Sequence, residues 1–252
     1  MRLPLRPKGG RDGTEWDMWR QRQEFEDKTM PVSAPDSFKD HAAVLDDAPG
    51  TATAPTVTPC FTPGALIATP RGEVPVETLR PGDRVVTRDN GIREIRWIGG
   101  RAVTGQELRL NSHLQPVFIK RGALGNGLPE QDMMVSPNHR MLVANDRTQL
   151  FFDEPEVLVA AKHLVGIHGV HAVEAIGVSY LHIMFDRHEV VLANGAWTES
   201  FQPGDQTLKG MCNAQRSEIF ELFPDLKTEQ GIQDYKAARP TLKQDETRLV
   251  TR

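Results

Sequence analysis

Cysteine is almost missing from this chain of 252 residues: Cys60 and Cys212 are the only two. So few exclude a disulfide scaffold and a four-cysteine zinc site. No run of about 18 apolar residues occurs, which excludes a membrane-spanning helix. The first thirty residues, MRLPLRPKGGRDGTEWDMWRQRQEFEDKTM, lack the apolar core of a secretory signal. The expected location is therefore the cytoplasm, or outside the cell by a signal-independent route. An excess of one charge sign is lacking too. Lys and Arg number 30 against 34 Asp and Glu, a net −4 that predicts no nucleic-acid partner and no pull toward anionic lipid. What is present, 38% hydrophobic and 25% charged residues, is the composition of a folded globular protein. With 21 Gly and 18 Pro, many turns are expected.

The chain reads in three parts. Residues 1–59 hold seven of the prolines, eight basic and ten acidic residues, and no strand-like alternation. A short helix over 14–28, edged by Trp16, Trp19 and Phe25, is the one element expected there. Positions 48–59, APGTATAPTVTP, read as an extended linker. The first part has too little apolar sequence for its own core and is expected to be a flexible arm. From Cys60 to about 200, short β segments follow one another at close spacing. They are expected over 65–69, 72–76, 84–87, 93–98, 115–120, 132–135, 141–143, 156–159, 180–185 and 189–193. Pro70-Arg71-Gly72, Asp89-Asn90-Gly91 and Asn194-Gly195 are turn signals. Helical turns are expected at 76–79 and 160–165, and a loop at His168-Gly169-Val170-His171. This pattern predicts an all-β fold. Residues 201–252 form a third part, a short helical tail. A helix over 215–223 places Ile219, Leu222 and Phe223 on one face, Pro224 stops it, and Leu242 and Leu249 serve as anchors.

Three places could carry chemistry. Cys60 lies where the flexible segment meets the first rigid strand, so its thiol can reach the carbonyl just before it; Cys212 has no such context and reads as a buried structural residue. In Ser136-Pro137-Asn138-His139, a hydroxyl and an imidazole share one turn ahead of an apolar strand. In 180–188, YLHIMFDRH, the residues His182, Met184, Asp186 and His188 share one face if the chain stays extended. Two histidines and a carboxylate so placed could bind a metal, tune each other's protonation, or face solvent.

Together these blocks resemble the Hint module of hedgehog autoprocessing domains and inteins, and most closely its bacterial stand-alone group. CFTPGALIATPRG at 60–72 is similar to the opening block, in which a cysteine begins the module and a hairpin follows. VETLRPGDRV at 76–85 is similar to its continuation. Ser136 to His139 is similar to the Thr-x-x-His block, with Ser for Thr. Residues 180–200 resemble the closing block, and 220–226 with 238–242 resemble the tail of the bacterial group. The resemblance implies a horseshoe of bent β-hairpins over 60–200. It also implies single-turnover, cysteine-dependent self-cleavage without metal or organic cofactor. The substrate would be the chain's own N-terminal segment. Cys60 would attack the carbonyl of Pro59 and form a thioester. His139 would protonate the leaving nitrogen and Ser136 would hold the scissile backbone. Asp186 would take the thiol proton or orient a water, His188 would assist the second step, and His182 is a further candidate. Water or a small nucleophile would resolve the thioester.

The sequence departs from the family in three ways. Glu199-Ser200 stands where inteins end in His-Asn, which argues against full splicing. Asn194 lies too early to replace that Asn. Pro59 crowds the attacked carbonyl. A hedgehog-type sterol-recognition region is not found. An alternative reading is a catalytically silent Hint module for binding or presentation; a third is a metal-dependent hydrolase using His182, Asp186 and His188.

Overall fold

The computed structural model describes residues 58–251, so the helix expected over 14–28 and nearly all of the arm lie outside the described residues. Within them the chain is mostly β, as expected. The strands are β1 (Leu66–Thr69), β2 (Gly72–Pro75), β3 (Arg84–Thr87), β4 (Gly91–Glu94), β5 (Trp97–Thr104), β6 (Val117–Ile119) and β7 (Met133–Val135). They continue with β8 (Arg140–Val143), β9 (Val157–Ala160), β10 (Val170–Ala172), β11 (Gly177–Met184), β12 (Val190–Ala193), β13 (Ala196–Glu199) and β14 (Thr241–Leu242). Short helices punctuate them: α1 (Gly105–Leu110), α2 (Asp146–Phe152), α3 (Ala161–Leu164), α4 (Asp205–Lys209), α5 (Asn213–Leu222), α6 (Glu229–Asp234) and α7 (Gln244–Val250).

One large sheet runs β14-β9-β8-β13-β12-β1-β2, with β3 and its partner β4 joined to β12. The strands β10-β6-β7 form a second sheet, and β5 and β11 form a long antiparallel ribbon, from Trp97 opposite Met184 to Thr104 opposite Gly177. The hairpin signals act as read. Asn194 and Gly195 both take positive φ, 48° and 76°, and join β12 to β13 with Ala193 opposite Ala196. Two left-handed residues in a row match the right-handed strand twist, and Asn-Gly is the pair that adopts them at least cost. The residues Val157–Ala160 are all buried, so an uninterrupted apolar run here marks a strand covered on both faces.

Several local expectations are corrected. The strand expected over 93–98 is broken, because the buried Ile95 turns away to exchange hydrogen bonds with the Gly82-Asp83 turn. The loop expected at 168–171 ends at Gly169, whose φ of 87° makes the turn, and Val170 already begins β10. Helices α1 and α2 were not foreseen, although both carry a legible start. Thr104 accepts from the amide of Glu107 while the Glu107 carboxylate accepts from the amide of Thr104. Asn145 and Thr148 repeat this reciprocal capping. Of the tail residues expected to anchor, Ile219 and Leu242 are buried. Leu222 and Leu249 are substantially exposed, and Val250 is buried next to Leu249.

Phe61 joins the two smaller sheets. It pairs with Val135 of β7 on one side and Leu181 of β11 on the other, exchanging backbone hydrogen bonds of 2.9 Å with Leu181 in both directions. The tail is part of the same body. β14 lies parallel to β9, and Leu208, Met211, Ile219, Leu226 and Tyr235 pack on Trp97, Met184 and Phe201. Three polar bonds fix this packing: Trp97 Nε1 to Glu218, the Tyr235 hydroxyl to the Phe185 carbonyl, and Gln215 to the Gly100 carbonyl.

Because Ile219 is fully buried in that cluster, Ile219→Ala should cost about 2–5 kcal/mol. Leu222→Ala, at an exposed site, should stay within about 0.5 kcal/mol. Urea unfolding of both variants in a Cys60→Ala background measures this; equal losses would show that the tail does not pack as described.

Candidate functional site

Phe61 bridges β7 on one side and β11 on the other, and the Pro59–Cys60 peptide just before it is buried. The β7 strand ends at Val135, and Ser136 opens the following turn, which is closed by the His139 amide on the Ser136 carbonyl. That places Ser136 against the backbone around Cys60. Its amide donates to the Cys60 carbonyl at 3.0 Å, and its Oγ accepts from the Cys60 amide at 2.9 Å. The same hydroxyl donates to the Thr58 carbonyl at 2.8 Å.

His182 approaches from β11. Its Nδ1 lies 2.7 Å from the Pro59 carbonyl oxygen, which can only accept, so the ring proton sits on Nδ1. The opposite nitrogen, Nε2, therefore presents a lone pair. Around it are Thr58 Oγ1 at 3.2 Å and Cys60 Sγ at 3.6 Å. The Trp97 indole stacks on this imidazole at 6.2 Å between centroids, and Phe201 meets it edge-on at 5.0 Å. Gly99 is opposite His182 in the ribbon, and a Cβ there would fall 2.2 Å from the Trp97 ring. Only glycine leaves room for the indole to cover His182.

His139 is buried on the other side of Phe61, whose ring it meets edge-on at 4.5 Å. The Thr198 hydroxyl donates to the Arg140 carbonyl, so its lone pair receives the proton of His139 Nε2, 2.5 Å away. The His139 Nδ1 is left as a buried lone pair with no hydrogen-bond partner.

Burial sets the protonation of this cluster. It pushes the Cys60 thiol up to about 12, against weaker lowering by Thr58 and Ser136; Glu199 raises it slightly and Arg101 lowers it. It pushes His139 down to about 3, helped by the neighbouring His182, Arg140 and His188. His182 falls to about 4, burial outweighing its bond to Pro59. The resting site thus holds a protonated thiol and two neutral imidazoles. In its resting contacts Cys60 Sγ lies 3.0 Å from the Thr58 carbonyl and 3.3 Å from Thr58 Oγ1.

Of the sequence candidates, Cys60 and Ser136 meet at the Pro59–Cys60 peptide and His182 joins them, whereas His139 packs on the Phe61 ring and bonds to Thr198. Asp186 and His188 do not join them. The β11 strand ends at Met184, so alternation stops before Asp186, which is exposed and paired with Arg96 at 3.3 Å. His188 accepts from the Ala238 amide at Nδ1, and its Nε2 lies 3.3 Å from the buried carboxylate of Glu199. Both of its nitrogens are turned to the tail and to β13. Among the described residues, no group of three His, Cys, Asp or Glu side chains could hold a metal ion. Cys212 is exposed at the start of α5, which corrects the buried reading.

A family model for the Hint domain matches residues 59–205. The chain belongs to the Hint domain family. Solved structures similar to it include the gp41-1 intein, with 12% identity over 56% of this chain and 98% of that one at a TM-score of 0.33. A bacterial intein-like domain from Clostridium thermocellum has 13% identity over 57% and 99% at 0.36. A DnaB intein from Synechocystis sp. PCC 6803 has 11% identity over 57% and 99% at 0.36. No curated protein matches. Membership of the Hint family supports a self-processing or splicing-type domain in general terms.

Three residues in contact with the Hint site escaped sequence reading. Thr58 looked like linker, Thr198 belongs to an unforeseen strand, and Trp97-Ile98-Gly99 reads as ordinary β sequence. For Trp97 the only signal was a large aromatic two residues before a glycine.

Two measurements follow. The full-length protein should label with maleimide at Cys212, while Cys60, its thiolate about 10³-fold scarcer, reacts only on unfolding; fast native labelling of Cys60 would contradict the burial. The second is stability against pH. His139 and His182 are held below the ordinary imidazole value, so both are neutral in either state above pH 6.5. Below it the unfolded chain binds two protons that the folded chain refuses. Stability should fall between pH 6.5 and 5 by up to about 2.7 kcal/mol per pH unit. Urea midpoints in a Cys60→Ala background measure the slope, and a flat profile would overturn the assignment.

Proposed function

We propose that this Hint domain cleaves its own chain at the Pro59–Cys60 bond by an N-to-S acyl shift. The observation that carries the reading is the His182 ring, which has one nitrogen on the Pro59 carbonyl and the other facing the Cys60 thiol. That single contact pair answers two requirements of acyl transfer, stabilisation of the developing oxyanion and removal of the nucleophile's proton.

In the first step Sγ bonds to the Pro59 carbonyl carbon and its proton passes to His182 Nε2. The carbonyl π pair becomes an oxyanion held by His182 Nδ1–H. The carbon–nitrogen bond to Cys60 then breaks, and the nitrogen leaves with a proton as the free amine. The proton it takes is the one Sγ gave up, returned from His182, while Ser136 Oγ, which accepts from that nitrogen, holds it in place. Water then attacks the thioester, giving a Pro59 carboxylate and the Cys60 thiol. Enclosure of thiol and carbonyl in one chain supplies an effective molarity on the order of 10⁵ M or more. On this reading residues 1–59 are the released arm, 60–200 the processing domain, and 201–252 a tail that supports it. Asp186 and His188 have no part in the first step. His188 serves instead to anchor the tail through Ala238.

One observation favours a second reading, a silent module. The resting thiol contacts the Thr58 carbonyl at 3.0 Å and is held far from ionisation. Intact mass spectrometry of wild type beside Cys60→Ala, each with and without dithiothreitol, separates the two. The expected result is loss of residues 1–59 in wild type only, accelerated by the thiol. His182→Asn should slow it about 10²–10⁴-fold. The rate should be flat from about pH 5 to 9, because neutral His182 takes the proton throughout that range. A tenfold rise per pH unit would mean unaided thiolate attack. A chain that stays whole in every sample favours the silent module.

A further inference from the structure

Thr58 is two residues before the nucleophile, on the fragment that would depart, yet its side chain faces inward. Its Oγ1 lies 3.3 Å from Cys60 Sγ and 3.2 Å from His182 Nε2, closer to that nitrogen than the 3.6 Å of the thiol itself. The direction of these bonds is constrained. His182 carries its proton on Nδ1, against the Pro59 carbonyl, so Nε2 can only accept. The Thr58 hydroxyl must then donate to Nε2, and its lone pair faces the thiol, whose proton points at rest to the Thr58 carbonyl 3.0 Å away and turns to Oγ1 to enter the relay. A hydroxyl that donates to one group while accepting from the other is a proton wire.

We infer that Thr58 Oγ1 relays the proton from Cys60 Sγ to His182 Nε2, so that the segment to be cleaved supplies part of its own catalytic machinery. This rests on the cleavage reading above. In the step, the thiol proton moves to Oγ1 as the Oγ1 proton moves to Nε2, and the S–C bond forms to the Pro59 carbonyl carbon. The hydroxyl ends unchanged, so it acts catalytically. The other groups facing the thiol are the Thr58 carbonyl, which can only accept and so cannot pass a proton on, and His182 and Tyr180 on β11, Glu199 on β13, Arg101 on β5 and Ser136. Ser136 Oγ already donates to the Thr58 carbonyl, and the Tyr180 hydroxyl donates to the Leu114 carbonyl at 2.6 Å, so neither is placed to substitute. Two consequences follow. The position two residues before the nucleophile requires a hydroxyl, and release of the fragment removes the relay, which makes the machinery single-use.

The test compares Thr58→Val and Thr58→Ser with wild type, by the time course of full-length chain lost with dithiothreitol from pH 6 to 10. Valine keeps the branched shape and removes the hydroxyl. Thr58→Val should slow cleavage about 10²-fold, and its rate should rise with pH where the wild-type rate is flat. Thr58→Ser should stay within about threefold of wild type. Urea unfolding of each in a Cys60→Ala background checks that folding is unchanged. Full-speed cleavage by Thr58→Val overturns the relay and leaves the cleavage reading standing. So does equal slowing of Val and Ser variants, or a slow but flat Val profile, each of which would make Thr58 a mere anchor. A wild type that never cleaves overturns both.

Discussion

The two-sided pairing of Phe61 is the constraint on which the site depends. An extended segment held on one edge could sway. Held between β7 and β11, with its side chain fully buried, Phe61 cannot move without breaking both sheets. The peptide just before it is therefore presented at a fixed height to Ser136 on one side and His182 on the other. The register does the rest. The residue after Val135 is Ser136, and the residue after Leu181 is His182, so the same two bridges that bury Phe61 deliver the two polar side chains to the Pro59–Cys60 backbone. Slipping either strand by one residue would turn its polar group to the opposite face.

Burial gives the site its electrical character. Thiol and imidazoles sit where water cannot solvate a charge, and each is driven to its neutral form. A site that ionised its thiol at rest would hold a charge with nothing to compensate it. On the proposed cleavage, the neutral site favours concerted transfer along fixed hydrogen bonds, where no isolated charge develops until the oxyanion forms opposite a donor already in place.

The tail is tied to this chemistry through Trp97. The indole covers one face of His182, and tail residues pack around it: Glu218 accepts a hydrogen bond from its Nε1–H, and Ile219, Leu226 and Tyr235 belong to its cluster. Residues after the family match thus help exclude water from the imidazole. They do so by packing, with no tail atom in contact with the thiol among the bonds that position it.

How much was legible depended on the range of the interaction. The β class, the hairpin turns at Pro70-Arg71 and Asn194-Gly195, the cysteine and the Ser136–His139 turn are local patterns, decided by φ preferences, alternation and order along the chain. They could be read directly. Asp186 and His188 were grouped with His182 on the assumption that the strand continued, and only the buried turn of Phe185 takes them away. Thr58 and Trp97 carry no local mark, since a threonine in a linker and a tryptophan in a strand are ordinary. Their contacts with His182 span 124 and 85 residues of chain. Sequence by itself determined which residues could do chemistry, because that follows from side-chain type and short-range backbone preference. Tertiary structure decided which of them meet, because strand register and burial are properties of pairings between distant segments.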